Sequence, residues 1–566
     1  MTALNDTGAP SSRREVDLLV AGSGTGLSAA LAAAEAGLSV LVVEKSAYVG
    51  GSTARSGGAF WVPGNPLLKD RQPADDRETA GMYVRAVVGD SAPEERGKAF
   101  LDHGAAAVEM LSRTTPMKFM WAEGYSDYHP ERPGGSALGR TCECSPFDAA
   151  QLGEHRSRLR PGILEAAGLP MPVTGADYKW MNLITSTPAK ALWRVGRALF
   201  IGVAGLARKR EYVAGGQALA AGLFAGALEA GIPIWTECRL VELLNEGDRV
   251  TGAILDHEGV RTEIAARRGV VLSAGGFDHD MSMRRKFQSE RMNQDLSLGC
   301  ESNTGDAIKI GQDVGAAIAL MDQSWWFPAV QPLPGKEPSV LLAERSLPGS
   351  FIVDQTGRRF INEAMDYMSF GQRLIERERA GDAVEQMWIV FDQKYRNSYI
   401  FAAGLFPRQP LPESWYENGI AVRADSPEEL ARKMGVPEDR FASTVGRFNA
   451  SAELGIDHEF ARGASAYDRY YGDPSITPNP NLRALQKESL YGVRIVLSDL
   501  GTCGGLVADD KARALREDGS VIEGLYAIGN TAANVFGATY PGAGATIGQG
   551  LVYGYIAALA AAEPVV

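Results

Sequence analysis

Apolar residues near the start of the chain fall in short unbroken runs instead of alternating with polar ones. Val16-Asp17-Leu18-Leu19-Val20 is such a run, the pattern of a strand buried on both faces. It leads into Gly22-Ser23-Gly24-Thr25-Gly26-Leu27, then an alanine-rich helical stretch from Ser28 to Ala36, then a second apolar run from Ser39 to Val43 that ends at Glu44. Strand, glycine turn, helix and strand in that order predict the first βαβ unit of a parallel sheet. Two later runs, Arg268 to Gly276 and Gly524 to Asn530, also end in glycine, and the second precedes the turn 541–550 and a final helix. The segment 188–210 differs in kind. Lys190, Arg194 and Arg197 recur at helical spacing, Leu192, Trp193, Leu199, Phe200 and Ile201 surround them, and Arg208-Lys209-Arg210 closes the segment. A helix packed on the core with a solvated charged face accounts for this pattern; so does a basic amphipathic helix lying in a membrane interface and drawn to anionic lipid.

The first unit carries recognisable chemistry. A glycine turn opening a helix offers free backbone N–H groups to a pyrophosphate, which makes Gly22, Ser23, Gly24, Thr25 and Gly26 candidate contacts. Glu44, some 22 residues after Gly22, stands where an acid accepts hydrogen bonds from ribose hydroxyls. Leu27 departs from the fingerprint, whose third glycine or alanine would stand there, and this puts helix packing beside the pyrophosphate in question. A second glycine-rich stretch comes at once, with Lys45, Gly51, Ser52, Thr53, Ser56, Gly57 and Gly58. Ala274 and Gly275 end one later strand, Gly529 and Asn530 the other, and Gly544, Thr546 and Ile547 open the last helix. Nucleotide contacts at both ends of a chain are the pattern of FAD proteins, with the positive end of the last helix aimed at the flavin. No His or Cys lies between Gly50 and Gly58, so the FAD is expected to be non-covalent.

Composition narrows the class without changing it. The 566 residues carry 57 Lys+Arg against 69 Asp+Glu, a net charge of −12, which argues against a nucleic-acid binder because phosphates need a basic surface. The length allows three or four units, or one large α/β domain with an insertion. Cys142, Cys144, Cys238, Cys300 and Cys503 form no C-x-x-C pair, so neither a metal site nor a disulfide framework is expected and a cytoplasmic location is the default. Ser12-Arg13-Arg14 imitates a twin-arginine export signal, but the apolar run Val16 to Val20 passes straight into glycines and reads as a strand. No run reaches the roughly 18 apolar residues of a membrane span.

A resemblance covers residues 16 to 560. It rests on Gly50 to Gly58, Tyr125-Ser126-Asp127-Tyr128, Asn303-Thr304-Gly305-Asp306, Arg359-Phe360-Ile361-Asn362-Glu363 with Tyr367, Ser498-Asp499-Leu500-Gly501-Thr502, and Thr539-Tyr540-Pro541-Gly542-Ala543-Gly544. In these the sequence resembles the fumarate reductase flavoproteins and, more closely, the bacterial 3-ketosteroid Δ1-dehydrogenases. The resemblance implies an α/β fold: a Rossmann-like FAD-binding domain, parallel sheet with helices, interrupted by an α+β catalytic domain. The expected boundaries are a disordered segment 1–14, the FAD-binding domain over 15–324 and 487–566, and the catalytic domain over 325–486, closing at the Pro-Asn-rich stretch 478–481. It adds Asp306 to the cofactor contacts.

The family's reaction removes a proton from C2 and a hydride from C1 of a 3-ketosteroid A ring. By resemblance Tyr540 and the Gly544 N–H donate to the 3-oxygen, Tyr367 is the base, and Tyr128 hydrogen-bonds it. A free phenol has a pKa of about 10, so Tyr367 needs its phenolate stabilised, and a second phenol donating to it serves that purpose. Phe60, Tyr125 and Trp326 are candidate walls for a flat apolar substrate, and residues 138–180 carry no readable signal. The electron acceptor, such as a quinone, is not identified by the sequence. Ala543, where many relatives have proline, leaves the donor at Gly544 untouched. Competing readings are a Δ4(5α)-ketosteroid dehydrogenase, a dicarboxylate reductase, and a flavin redox sensor or electron carrier. Phenols and an amide do not suit a dicarboxylate, and a sensor has no use for a C2 base.

Overall fold

The computed structural model describes residues 14–68, 76–162, 172–486 and 489–564; the expected disordered segment lies outside the described residues except for Arg14, which begins a strand. That strand, β1 (Arg14–Ala21), is joined by α1 (Gly26–Glu35) to β2 (Val40–Val43), and Leu18 to Ala21 pair in parallel with Val40 to Val43. The apolar runs are buried on both faces, as parallel pairing with flanking helices requires. β3 (Thr141–Cys144) is the middle strand of a small antiparallel sheet with Ala59–Trp61 and Phe119–Trp121. Beside it stand two consecutive helices, α2 (Gly175–Asn182) and α3 (Pro188–Ala207). β4 (Val260–Leu272) then returns to the first sheet, parallel to β1 on the side away from β2.

A second, antiparallel sheet comes next. β5 (Ser324–Val330), α4 (Tyr367–Arg379), β6 (Met387–Asp392) and β7 (Leu490–Thr502) build its centre. β7 pairs with β6 through its first half and with β5 through its second. The expected boundary at 486 is therefore too early: β7, assigned from sequence to the returning FAD-binding part, is the central strand of the inserted sheet. A 13-residue strand was hidden because the Pro-Asn-rich stretch shortly before it reads as an ending. β8 (Val521–Ala527) then pairs in parallel with β4, and α5 (Ala545–Ala562) ends the fold.

α5 is long and apolar enough to cross a membrane, yet most of it is buried against the rest of the protein. It packs on α1 at unusually short range. A Cβ at Gly554 would come 2.9 Å from the Ala29 backbone nitrogen, and one at Gly550 would lie 2.4 Å from Thr25 Oγ1. Ser28 Oγ donates to the Leu551 carbonyl at 2.8 Å. The close packing that the fingerprint obtains from a small residue after the turn is thus supplied from the partner helix, which lets Leu27 sit fully buried in the core. Gly554→Val should cost about 1–3 kcal/mol of stability through overpacking, read as an earlier urea midpoint. Unchanged unfolding would show that the helices do not approach so closely.

Candidate active site

A continuous cavity of about 1090 Å³ runs from the glycine turn after β1 to the second sheet. At one end it is lined by Gly22, Ser23, Gly24, Thr25, Glu44, Lys45, Gly51, Ser52, Thr53, Ser56, Gly57, Gly58, Ala274, Gly275 and Asp306. Gly529, Asn530, Gly544, Thr546 and Ile547 reach it from the C-terminal part of the chain. Glu44 is held at the wall: Ser23 donates to Oε2 from its N–H at 3.1 Å and its hydroxyl at 2.6 Å, and Ser46 donates to Oε1. Lys45 Nζ is 2.8 Å from Asp306. Gly26 does not line the cavity. It begins α1, and its Cβ position would lie 2.3 Å from Ser273 Oγ, so its smallness serves strand–helix packing and not ligand approach.

The lining residues suit a dinucleotide: a helix N-terminus facing the cavity, a carboxylate at the end of β2, and open backbone at Gly57, where a Cβ would meet nothing within 4 Å. No histidine is among the lining residues, and the cysteine that is, Cys238, has its thiol pushed up to about 12 by burial. A thiol held so firmly protonated is a poor nucleophile.

The far end is built of phenols. Tyr128 Oη donates to Tyr367 Oη at 3.0 Å, and Tyr128, Tyr367 and Tyr540 lie with ring centres 5.1–5.5 Å apart. Tyr367 is the first residue of α4, placed there by Asp366, whose side chain caps the helix on Ser369 N. Gly544 precedes α5 with φ +85°, and an added Cβ would fall 2.1 Å from the Ala59 carbonyl oxygen. Only glycine meets both demands, and the resulting turn aims the Gly544 N–H at the Tyr540 oxygen. Hydroxyl and amide thus stand side by side.

Burial shapes the acidity of each phenol. It pushes Tyr540 up to about 12, against hydrogen bonds from Tyr367 and the Gly544 N–H that lower it. It raises Tyr367 well above the ordinary tyrosine range, and the nearby Tyr540 and Tyr125 raise it further, while the hydrogen bond from Tyr128 pulls it back.

Of the three expected wall residues, Tyr125 lines the cavity and the other two do not. Trp326 points away because alternate residues of a strand face opposite sides: it packs under Gly371 of α4 and beside Arg284. Its neighbour Phe327 takes the cavity face, with its ring 4.5 Å from that of Tyr367. Phe60 packs edge-on against Phe119 at 5.1 Å, inside the core. The run Trp325-Trp326-Phe327 is aromatic on both faces, so period-two reasoning had nothing to choose between them. The described part of 138–180 contributes cavity wall through Glu143, Val173, Thr174, Gly175 and Tyr178. Tyr471 also lines it and donates to Tyr125 Oη at 2.8 Å.

Comparison with known proteins agrees with this geometry. Residues 17–547 match the model of the FAD binding domain family. The 3-oxosteroid 1-dehydrogenase of Mycobacterium tuberculosis (strain ATCC 25618 / H37Rv) is 43% identical, covering 97% of this chain and 99% of the relative. The 4-oxocyclohex-2-ene-1-carboxylate 5-dehydrogenase of Sinomonas cyclohexanicum is 34% identical over 95% of this chain and 92% of its own. Among solved structures, the 3-ketosteroid delta1-dehydrogenase from Sterolibacterium denitrificans in complex with 1,4-androstadiene-3,17-dione superposes with a TM-score of 0.92 at 36% identity, covering 97% of this chain and 99% of that one. Glycine cradle, ribose acid, phenol cluster and full-length similarity together place the chain in the FAD-binding oxidoreductase family, among the 3-oxosteroid 1-dehydrogenases.

Proposed function

We propose that the protein catalyses the FAD-dependent 1,2-desaturation of the A ring of 3-ketosteroids. The observation that carries this reading is the juxtaposition of the Tyr540 hydroxyl and the Gly544 N–H beside the Tyr128–Tyr367 pair. FAD, when bound, supplies the acceptor for the two electrons that leave with the C1 hydrogen. Gly22 to Thr25, Glu44, Gly51 to Thr53 and Asn530 would hold its nucleotide and ring portions.

The chain's own residues handle the carbonyl and the proton. Tyr540, kept protonated by burial, and the Gly544 amide donate to the substrate 3-oxygen, where negative charge grows as the C2–H bond breaks. Preorganised donors of this kind are worth about 100-fold or more in rate each. Tyr367 accepts the C2 proton, and Tyr128 steadies the phenolate that accepts it. The apolar wall of Phe327 and Leu500 excludes water from the ring face. The further apolar wall supplied by Val173, Met181, Ile400 and Phe406 favours a steroid over a single-ring ketone of the kind named in the Sinomonas cyclohexanicum relative.

The membrane interface is the route by which we infer that so apolar a substrate arrives. On α3 the small residues Ala191, Ala198, Gly202 and Gly205 face inward, while Phe200 is 71% exposed, Trp193 64% and Leu192 59%. This reverses the arrangement of a helix packed on a core by its large side chains. Arg194 is committed to Asp177 at 2.8 Å and Arg210 lies near Asp148, which leaves Lys190, Arg197, Arg208 and Lys209 exposed for anionic headgroups. Gly202 and Leu206 also line the cavity, so the same helix faces lipid and substrate. We place the enzyme in the cytoplasm, on the inner membrane face, where a membrane quinone is a suitable acceptor.

Three outcomes are expected. The purified protein should be yellow, and acid precipitation should release all its flavin; colour remaining with the precipitate would contradict non-covalent binding. Androst-4-ene-3,17-dione should be oxidised with an artificial acceptor, and Tyr367→Phe should keep FAD yet lose at least about 100-fold in kcat. Because Tyr367 acts deprotonated and burial raises its pKa, log kcat/KM should climb with pH from neutrality into the alkaline range, and Tyr128→Phe should move that climb to higher pH. A flat profile, or near-normal turnover by Tyr367→Phe, would require another base. Finally, the protein should sediment with anionic vesicles at low salt, and replacing Arg197, Arg208 and Lys209 by Gln together with Trp193→Ser and Phe200→Ser should abolish this while sparing turnover of dissolved steroid. Wild-type protein left in the supernatant would end the membrane reading.

A further inference from the structure

The cavity wall contributed by α2 holds a polar cluster that the desaturation does not use. Tyr178, on α2, lines the cavity there with Val173, Met181, Val340, Leu342, Ile400 and Phe406, all apolar. Tyr178 Oη stands 3.3 Å from Glu344 Oε1, which also accepts a long 3.4 Å hydrogen bond from Ala403 N. Glu344 is fully buried and Asn182, a neighbour of the Tyr178 hydroxyl, is 1% exposed. Glu344 Oε2 and Asn182 Oδ1 make no hydrogen bond with any described residue. Two orphaned polar atoms in one buried cluster are costly, at roughly 1–3 kcal/mol each, and such groups persist where they serve a ligand or a bound water. Tyr178 donates to Glu344 over a long 3.3 Å, and burial pushes the Glu344 carboxyl up to about 7, which makes it a weaker acceptor, so the phenol can exchange this bond for one to a ligand oxygen in the cavity.

The distance from the chemistry is several ring widths. Tyr367 contacts Tyr128, whose ring is 6.5 Å from that of Tyr125. Tyr125 stacks on Tyr470 at 4.4 Å, and Tyr470 carries Lys179, the neighbour of Tyr178, with Nζ 3.8 Å from its ring centre. A rigid tetracyclic ketone held by its 3-oxygen at Tyr540 and Gly544 and lying along the wall that Tyr125 and Tyr178 share would bring its far ring to α2.

We infer that Tyr178, positioned by Glu344 and Asn182, hydrogen-bonds an uncharged oxygen on the far ring of the steroid and so sets the preference for substrates oxygenated at that end. This rests on the ketosteroid reading above and deepens it. A hydrogen-bonding site discriminates against an analogue that lacks the oxygen because its buried polar groups are left unpaired. Glu344 acts through Tyr178 and touches no reacting atom.

The test compares kcat/KM on androst-4-ene-3,17-dione and on androst-4-en-3-one, which has the same A ring and no far oxygen, for the FAD-loaded wild type, Tyr178→Phe and Glu344→Gln. The wild type should prefer the dione by about tenfold, the value of one neutral hydrogen bond with its desolvation penalty. Both variants should lose most of that ratio, with the loss falling on the dione. Equal losses on the two steroids would mark the cluster as merely structural, and a wild type that does not discriminate would overturn the inference outright. Should wild type oxidise neither steroid, the ketosteroid reading itself fails and this inference with it. Thermal melting and FAD content, expected to stay near wild type for Tyr178→Phe, separate misfolding from lost recognition.

Discussion

The structure turns on one backbone contact. Gly544 abuts the Ala59 carbonyl so closely that no side chain fits between them, and Trp61 N donates to the Gly544 carbonyl at 3.2 Å. This contact joins the glycine-rich region after β2 to the start of α5, hundreds of residues apart. It also fixes the direction of the Gly544 N–H. The juxtaposition of Tyr540 and the Gly544 N–H therefore does not depend on a flexible loop: it is set by the same packing that joins these two parts of the chain. α5 in turn can come that near only because Gly550 and Gly554 allow it to lie against α1.

The second constraint is electrostatic. Tyr125, Tyr128, Tyr367, Tyr467, Tyr470, Tyr471 and Tyr540 gather in one buried cluster. Burial alone would make each phenol a weaker acid and so leave no base near neutral pH. The cluster divides the work by hydrogen bonding. Tyr540 receives hydrogen bonds from the Gly544 amide and from Tyr367, and Tyr367 receives one from Tyr128, each offsetting part of the effect of burial. The two rings lie 5.5 Å apart, and the hydroxyls of Tyr128, Tyr367 and Tyr540 form one chain of hydrogen bonds, each donating to the next.

How much of the molecule was legible in the sequence depends on the kind of signal each part leaves. The nucleotide end could be read because its demands are local: a turn, a helix start and an acid at a fixed spacing. The phenols Tyr128, Tyr367 and Tyr540 are far apart in the chain and were reachable only through the resemblance; nothing in their spacing brings them together. Trp326 and Phe60 were misplaced for want of an alternation to read, since strands flanked by aromatics on both faces do not declare which one faces a ligand. Gly26 was assigned to the ligand when its closeness to Ser273 serves packing. β7 was cut off by a turn-like prelude. The stretch 138–180 was silent because Glu143 and Tyr178 are ordinary residues until tertiary packing buries them at the cavity.

The central claim is that the A ring is held by its oxygen between Tyr540 and Gly544 with C2 presented to Tyr367. A crystal structure of the FAD-loaded protein with androsta-1,4-diene-3,17-dione tests it most directly. The account predicts the 3-oxygen within about 3 Å of both the Tyr540 Oη and the Gly544 N, with the Tyr367 Oη facing C2. A steroid bound in the reverse sense, or with its 3-oxygen held by other donors, would contradict it.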